Sequence, residues 1–144
     1  MRTMLRWTSL VLFTLLSAFM IAFGILYASV QDLLWFHAAA VPETALEDVR
    51  AIYFALMKLI GGSSVALGLL CAYITLVPLR WGVSMAGTAL AAAFAIPFTI
   101  AAIVAESLAA ETGAPTSWHV MGALLAITAA AYLTHLASCD REHG

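Results

Sequence analysis

Charge is nearly absent from four long stretches of this chain, and this feature most restricts what the chain can fold into. No Asp, Glu, Lys or Arg occurs in residues 7–30, 59–79, 81–105 or 112–139. A helix needs about 20 apolar residues to cross the roughly 30 Å hydrocarbon core of a bilayer. Within that core only helices and closed barrels satisfy the backbone polar groups. We therefore expect four membrane-spanning helices.

The composition excludes several other classes of protein. The 144 residues are 64% hydrophobic and 10% charged, whereas soluble domains average about 45–50% apolar and 25% charged residues. The alternating pattern of outer-membrane barrel strands is missing. A net charge of −2 gives no basic surface for a nucleic acid, so we expect no nucleic-acid partner. Residues 1–144 are predicted to form a single transmembrane domain.

Proline and glycine mark the ends of the predicted spans. Pro42 suits the first turn of a helix, Pro78 is expected to end the second span, and a Gly- and Pro-containing turn separates the third and fourth. Pro97 is expected to kink the third span. Short connections force neighbouring helices to run antiparallel. The predicted fold is all-α, an integral membrane four-helix bundle with up-down-up-down topology and spans at about residues 5–30, 46–77, 82–107 and 117–137.

The distribution of arginines predicts the orientation. Arg2, Arg6, Arg80 and Arg141 fall on one side of such a bundle, and only Arg50 lies in a loop on the other side. Short loops rich in Lys and Arg stay in the cytoplasm. We therefore expect both chain ends inside the cell (N-in/C-in), in the inner (cytoplasmic) membrane of a bacterium.

With this orientation, several polar side chains lie near the outer membrane face. Lys58 is the most unusual, since a lysine at the centre of a span costs about 2.5–3.5 kcal/mol on insertion scales. Lys58 either pairs with Glu106 at the floor of an external pocket or extends its stem to the outer headgroups. The candidate ligand pocket consists of His37, Tyr53, Lys58, Glu106, Trp118 and His119.

The histidines and carboxylates do not have the spacing of a metal site, so none is predicted. His119 and His135 are too far apart along one helix, about 24 Å, to ligate one haem iron. A haem would need His37 together with His119. No cofactor is predicted, although haem and quinone remain open for this pocket.

Small residues recur at four-residue spacing in every span, where they allow close approach of helices in lipid. They serve either packing within one bundle or contact with a second copy or another partner. The glycines expected at helix contacts are Gly61, Gly62, Gly68, Gly87 and Gly122.

Two segments carry a family resemblance. The sequence WFHAAA at residues 35–40, followed by RAIYFALMKLIGG at residues 50–62, resembles a pattern in small bacterial four-span membrane proteins that are distantly similar to DoxX-like proteins. The resemblance implies a four-helix fold rather than an activity. It singles out His37, Lys58, Gly61 and Gly62.

Three functions are consistent with these features. The bare interior of the spans favours a non-enzymatic accessory subunit or a module that binds lipid or another hydrophobic ligand. The alternative is a small membrane enzyme or quinone-linked redox protein that uses the external pocket. A transporter fits less well, because the inner half of the spans has few polar groups. Expected partners are membrane lipids and either a larger membrane complex or further copies of the chain.

Overall fold

The computed structural model describes residues 2–139, except the side chains of residues 2 and 84. These residues are helical and contain no strand, which confirms the all-α prediction. A short 3₁₀ turn (Glu43–Ala45) precedes the third helix, and a π-helical turn (Thr75–Leu79) follows it. The α-helices are α1 (Arg2–Ala28), α2 (Trp35–Ala38), α3 (Leu46–Ile74), α4 (Ser84–Thr112) and α5 (His119–Cys139).

Four of these helices are long and apolar enough to cross a membrane. The qualifying segments are Thr3–Ala28, Glu43–Leu79, Met85–Thr112 and His119–Cys139. Such lengths match or exceed the roughly 20 residues that a bilayer requires. The chain is thus a multi-pass membrane protein by the length and composition of its helices.

Local sequence explains where these helices begin and end. Glu47 and Asp48 in the first turn of α3 interact favourably with the positive end of the helix dipole. The third span, expected to end near residue 107, continues to Thr112 because neither Pro nor Gly occurs between residue 107 and Gly113. That glycine has φ +70°, and its N–H donates to the carbonyl of Ala109 at 2.9 Å. Only glycine adopts this left-handed conformation without strain.

We expected the second span to end at Pro78. Instead, the helical chain passes through Pro78 as the π-helical turn Thr75–Leu79. Proline has no N–H to donate, and a π-helical turn changes the hydrogen-bonding register locally. The chain then reverses at Gly82, which has φ +82°. α4 likewise continues through Pro97 as one helix.

α1 is the central helix of the assembly. It packs along α3 on one side and along α5 on another, whereas α4 packs mainly against α5, and α3 and α4 touch little. One third of the most apolar window of α1 is buried, compared with 17% of the corresponding window of α4. α4 therefore exposes the largest share of its apolar surface.

Aromatic rings connect α1 with α4 through the core. Phe13 stacks on Phe94 with ring centroids 6.2 Å apart, and Phe98 continues the stack 6.0 Å from Phe94. Phe19 meets the Phe98 ring edge-on at 6.2 Å. Offset and edge-to-face pairs of this kind are favourable beyond the area that they bury. Leu16, Met20, Cys71, Leu79 and Leu90 surround these rings.

Glycine brings the backbones of α1 and α3 into contact. A Cβ atom at Gly61 would lie 2.6 Å from the carbonyl oxygen of Gly24, and one at Gly68 would lie 2.7 Å from the side chain of Ile21. A Cβ at Gly62 would have no described atom within 4 Å. Gly61 and Gly68 thus lie in the α1–α3 contact, and Gly62 does not.

The remaining two glycines that we expected at helix contacts accommodate rings. A Cβ at Gly87 in α4 would overlap the imidazole of His135 in α5. A Cβ at Gly122 would lie 2.6 Å from the indole of Trp118, four residues earlier in the chain. Gly87 therefore permits contact between two helices, whereas Gly122 accommodates a side chain from its own region of the chain.

The neighbouring residues Gly61 and Gly62 provide a matched pair for testing the α1–α3 contact. Gly61→Ala should destabilise the protein by about 1–3 kcal/mol, because overpacking forces the backbones apart. Gly62→Ala should leave stability unchanged or slightly increased, because it adds a methyl group in open space. Thermal unfolding of both variants in the same detergent measures the difference. Equal melting temperatures would contradict the assignment of Gly61 to the contact.

Candidate functional site

A hydrogen-bonded pair, His37 with Tyr53, ties the connection after α1 to the start of α3. Nδ1 of His37 in α2 lies 3.0 Å from the hydroxyl oxygen of Tyr53 in α3. The backbone N–H of Leu34 donates to the same oxygen at 3.2 Å. Two of the six residues proposed for the ligand pocket, His37 and Tyr53, therefore lie together.

Aromatic rings surround this pair. Phe36 packs against the His37 ring with centroids 4.4 Å apart, and Tyr27 from α1 meets it edge-on at 6.5 Å. Tyr53 in turn contacts the ring of Phe54 at 5.4 Å. Burial among these groups lowers the pKa of His37 from its ordinary value of 6.5, because desolvation disfavours the charged imidazolium. The imidazole is therefore neutral at physiological pH.

Arg50 lies beside this aromatic cluster at the start of α3. Its guanidinium is 3.5 Å from a carboxylate oxygen of Asp32 and 3.6 Å from one of Glu47. The same guanidinium lies 5.6 Å from the centre of the Phe54 ring. These exposed pairs contribute little individually, about 0–1 kcal/mol each. The Asp32 pair joins the connection to α3, whereas the Glu47 pair lies within α3.

Lys58 and Glu106 do not form the ion pair that one interpretation of the sequence required. The ion pairs among the described side chains of residues 3–139 all involve Arg50, and both Lys58 and Glu106 are exposed. An exposed lysine can carry its charge to the headgroup layer on its flexible stem at low cost. The other interpretation, in which Lys58 extends its stem to the outer headgroups, stays a prediction.

His119 and Trp118 lie apart from the His37–Tyr53 pair in their contacts. Their two rings stack on each other with centroids 4.7 Å apart and planes 17° apart, and both residues are exposed. Among residues 2–139, the aromatic contacts of His37 are with Tyr27, Phe36 and Tyr53. No group of three metal-ligand side chains occurs in this part of the chain. Trp118 and His119 are thus not among the aromatic contacts of His37 in the described residues, and a haem or quinone at this end stays an open prediction.

A polar cavity that was not predicted from the sequence lies between the start of α1, the turn before α4 and the last turns of α5. Its volume is about 320 Å³. The buried Ser9 of α1 donates a hydrogen bond to the Ala131 carbonyl of α5 at 2.9 Å, and Arg6 donates to the carbonyl of Arg80 in the turn before α4. These two bonds join α1 to the other elements at this end. Arg6, Ser9, Trp81, His135, Ser138 and Cys139 line the cavity.

Side-chain spacing on α5 carried a signal for this cavity. His135, Ser138 and Cys139 lie three and four residues apart, so they share one face of the helix. Nε2 of His135 lies 3.8 Å from the sulfur of Cys139. The His135 ring is buried, and it fits there because Gly87 on α4 has no side chain. In the sequence analysis, His135 is related to haem and is not considered together with Ser138 and Cys139 on the same helix face.

Comparison of the chain with protein-family models, with curated proteins and with solved structures finds no match. The resemblance to DoxX-like proteins therefore stays a prediction.

The pKa of His37 predicts how stability changes with pH. Because the folded state lowers this pKa, the unfolded chain binds a proton first, and stability should fall as pH drops below about 6.5. His37→Gln should remove the part of this pH dependence that comes from His37. The melting temperature of the variant should therefore fall less between pH 7.5 and pH 5.5 than that of the wild type. His119→Gln, at an exposed ring, should keep the wild-type dependence. Parallel pH profiles for the wild type and His37→Gln would contradict the burial of a neutral imidazole.

Proposed function

We propose that this chain is a small protein of the bacterial inner membrane that acts as an accessory subunit or a module binding lipid or another hydrophobic ligand. The proposal includes an antiparallel four-helix bundle with both chain ends in the cytoplasm. The arginine distribution supports this orientation. The Arg6–Arg80 and Ser9–Ala131 hydrogen bonds support the topology, because they join the start of α1 to the turn before α4 and to the later part of α5.

The single observation that carries the accessory role is the exposure of α4. This helix has one well-packed neighbour, α5, and little contact with α3. Large apolar side chains on it are exposed from its middle onward: Ile96, Ile100, Ile103 and Val104. Lipid covers such a face at no cost, but helices in membranes also associate through faces rich in small residues. Alanines at positions 101, 105 and 109 are half-buried and lie on a different face of α4, so a partner on the exposed face would contact the large side chains.

The polar residues of the candidate ligand pocket support a binding or accessory role more than catalysis. Lys58, Glu106 and His119 are exposed, and no hydrogen bond or ion pair joins them among the described residues. A small quinone-linked enzyme remains the second candidate because of the His37–Tyr53 pair. A neutral imidazole bonded to a phenol among aromatic rings has the chemistry to hydrogen-bond a quinone carbonyl. Turnover of a soluble quinone analogue that is lost in His37→Gln would favour the enzyme.

Cysteine labelling tests the orientation. Cys71 and Cys139 are first replaced by Ser or Ala, and a single cysteine is then placed at Thr44 or at Trp81, both of which are exposed. In cells whose inner membrane is intact and accessible to the reagent, a membrane-impermeant maleimide should label Thr44→Cys. It should label Trp81→Cys only after lysis. The reverse pattern would invert the proposed orientation.

Site-specific photocrosslinking tests the accessory role. A benzophenone amino acid replaces Ile100 on α4 or, as a matched control, Ile25 on α1; both isoleucines are 57% exposed. In native membranes, Ile100 should give a discrete protein adduct, and Ile25 should give none. The adduct mass separates a second copy of this chain from a different protein. Lipid adducts alone at both positions would contradict a partner on α4 and leave the lipid-binding module as the function.

A further inference from the structure

The polar cavity near the chain ends adjoins an apolar groove on the outside of α1. The groove has a volume of about 240 Å³ and lies between α1 and the π-helical turn Thr75–Leu79. Leu10 lines both spaces. Arg80 lines the groove and accepts a hydrogen bond from Arg6, which lines the cavity. One polar and one apolar compartment thus meet at a pair of arginines.

The polar compartment offers positive charge and hydrogen-bond donors. Ser9 and Ser138 donate their protons to helix carbonyls. The guanidinium of Arg6 has further N–H groups, and the ring of His135 adds a nitrogen. The carboxylates of the described residues lie in the segments 32–48 and 106–111, away from these groups. The tail that follows α5 contains Asp140, Arg141 and Glu142 and lies outside the described residues.

A compartment that contains the Arg6 guanidinium and lacks carboxylates among the described residues suits an anion, and a guanidinium group matches phosphate in particular. A volume of about 320 Å³ far exceeds the ~30 Å³ of one liquid water molecule, so a glycerophosphate group has room. Trp7 and Trp81 are 58% and 79% exposed at this end. Exposed tryptophans are typical of the headgroup layer of a membrane, where phosphate groups are concentrated.

The apolar groove suits a hydrocarbon chain. Residues 7 to 15 of α1 line one wall, a length of about 12 Å along the helix. Leu76 of the π-helical turn lines the other wall. Thr14 donates its hydroxyl proton to the carbonyl of Leu10 at 2.7 Å, so it leaves no free donor in the groove. π-helical turns occur frequently at functional sites, and this one shapes the groove.

We propose that this end of the protein binds one anionic phospholipid of the surrounding leaflet. The phosphate lies in the polar cavity against Arg6, and one acyl chain lies in the groove along α1, which Arg80 also lines. The proposal rests on the proposed membrane embedding but is independent of the His37–Tyr53 pair and of the α4 face. The two arginines provide selectivity for anionic over zwitterionic headgroups.

Native mass spectrometry of the detergent-purified full chain tests the proposal. The probes are phosphatidylglycerol and phosphatidylcholine with identical acyl chains, and soluble glycerol 3-phosphate. The wild type should bind phosphatidylglycerol more tightly than phosphatidylcholine, by about fivefold for each arginine. Arg6→Gln and Arg80→Gln should each lose about that factor. Arg50→Gln, at the other end of α3, should keep the wild-type preference.

A groove variant separates lipid from free phosphate. Leu76→Trp should fill the groove and weaken phosphatidylglycerol binding while leaving any weak binding of glycerol 3-phosphate unchanged. Equal affinity for the two lipids, or equal effects of Arg6→Gln and Arg50→Gln, would overturn the proposal. Glycerol 3-phosphate binding as tightly as phosphatidylglycerol would assign the cavity to a soluble phosphate instead.

Two controls keep these outcomes interpretable. Size-exclusion chromatography and circular dichroism establish that each variant is folded. The labelling of Thr44→Cys and Trp81→Cys tests the orientation, and the Ile100 crosslink tests the accessory role. Both tests are independent of lipid binding. Loss of lipid selectivity with both of those results intact would remove only the lipid site.

Discussion

The close approach of α1 and α3 through Gly24 and Gly61 is the contact on which the rest of the structure depends. In lipid, helices gain nothing from burying apolar surface, so they associate where their backbones come close enough for dense van der Waals contact. At this contact the carbonyl of Gly24 occupies the space that a Cβ at Gly61 would need. With one face fixed against α3, α1 directs Phe13 toward Phe94 of α4 and Ser9 toward Ala131 of α5. The position of the central helix therefore sets the positions of the others.

This arrangement concentrates polar groups at the two ends of the helices. Along the core, buried hydroxyls donate to carbonyls of their own helices: Ser17 to Phe13, Thr75 to Cys71 and Thr128 to Leu124. Between helices, Ser9 of α1 bonds to Ala131 of α5 and Thr88 of α4 bonds to Tyr132 of α5, and further polar contacts lie at the helix ends. His37 bonds to Tyr53 after α1, and Arg6 bonds to the turn before α4. The two helix ends therefore differ in chemistry. One end has the neutral imidazole of His37, and the other has guanidinium groups.

Residue chemistry predicted the spans well and the site only in part. The absence of charge over long stretches indicates spanning helices whatever their neighbours are, because insertion depends on the composition of each segment. Pairing was harder to predict. Lys58 and Glu106 were assigned similar depths, but depth along a helix does not give the direction in which a side chain projects. The polar cavity was missed because its lining comes from α1, the turn before α4 and the end of α5, which are far apart in sequence.

The sequence by itself determined a membrane-embedded, all-helical chain with four apolar helices, because those properties follow from local composition and from the positions of Pro and Gly. Only the tertiary structure decided which faces meet. Helices that are apolar on every side carry no hydrophobic stripe to fix their rotation, and α4 and α5 are of this kind. Their rotation is fixed instead by individual fits, such as the His135 ring against Gly87. Those fits depend on atoms from separate helices, so they exist only once the helices have packed.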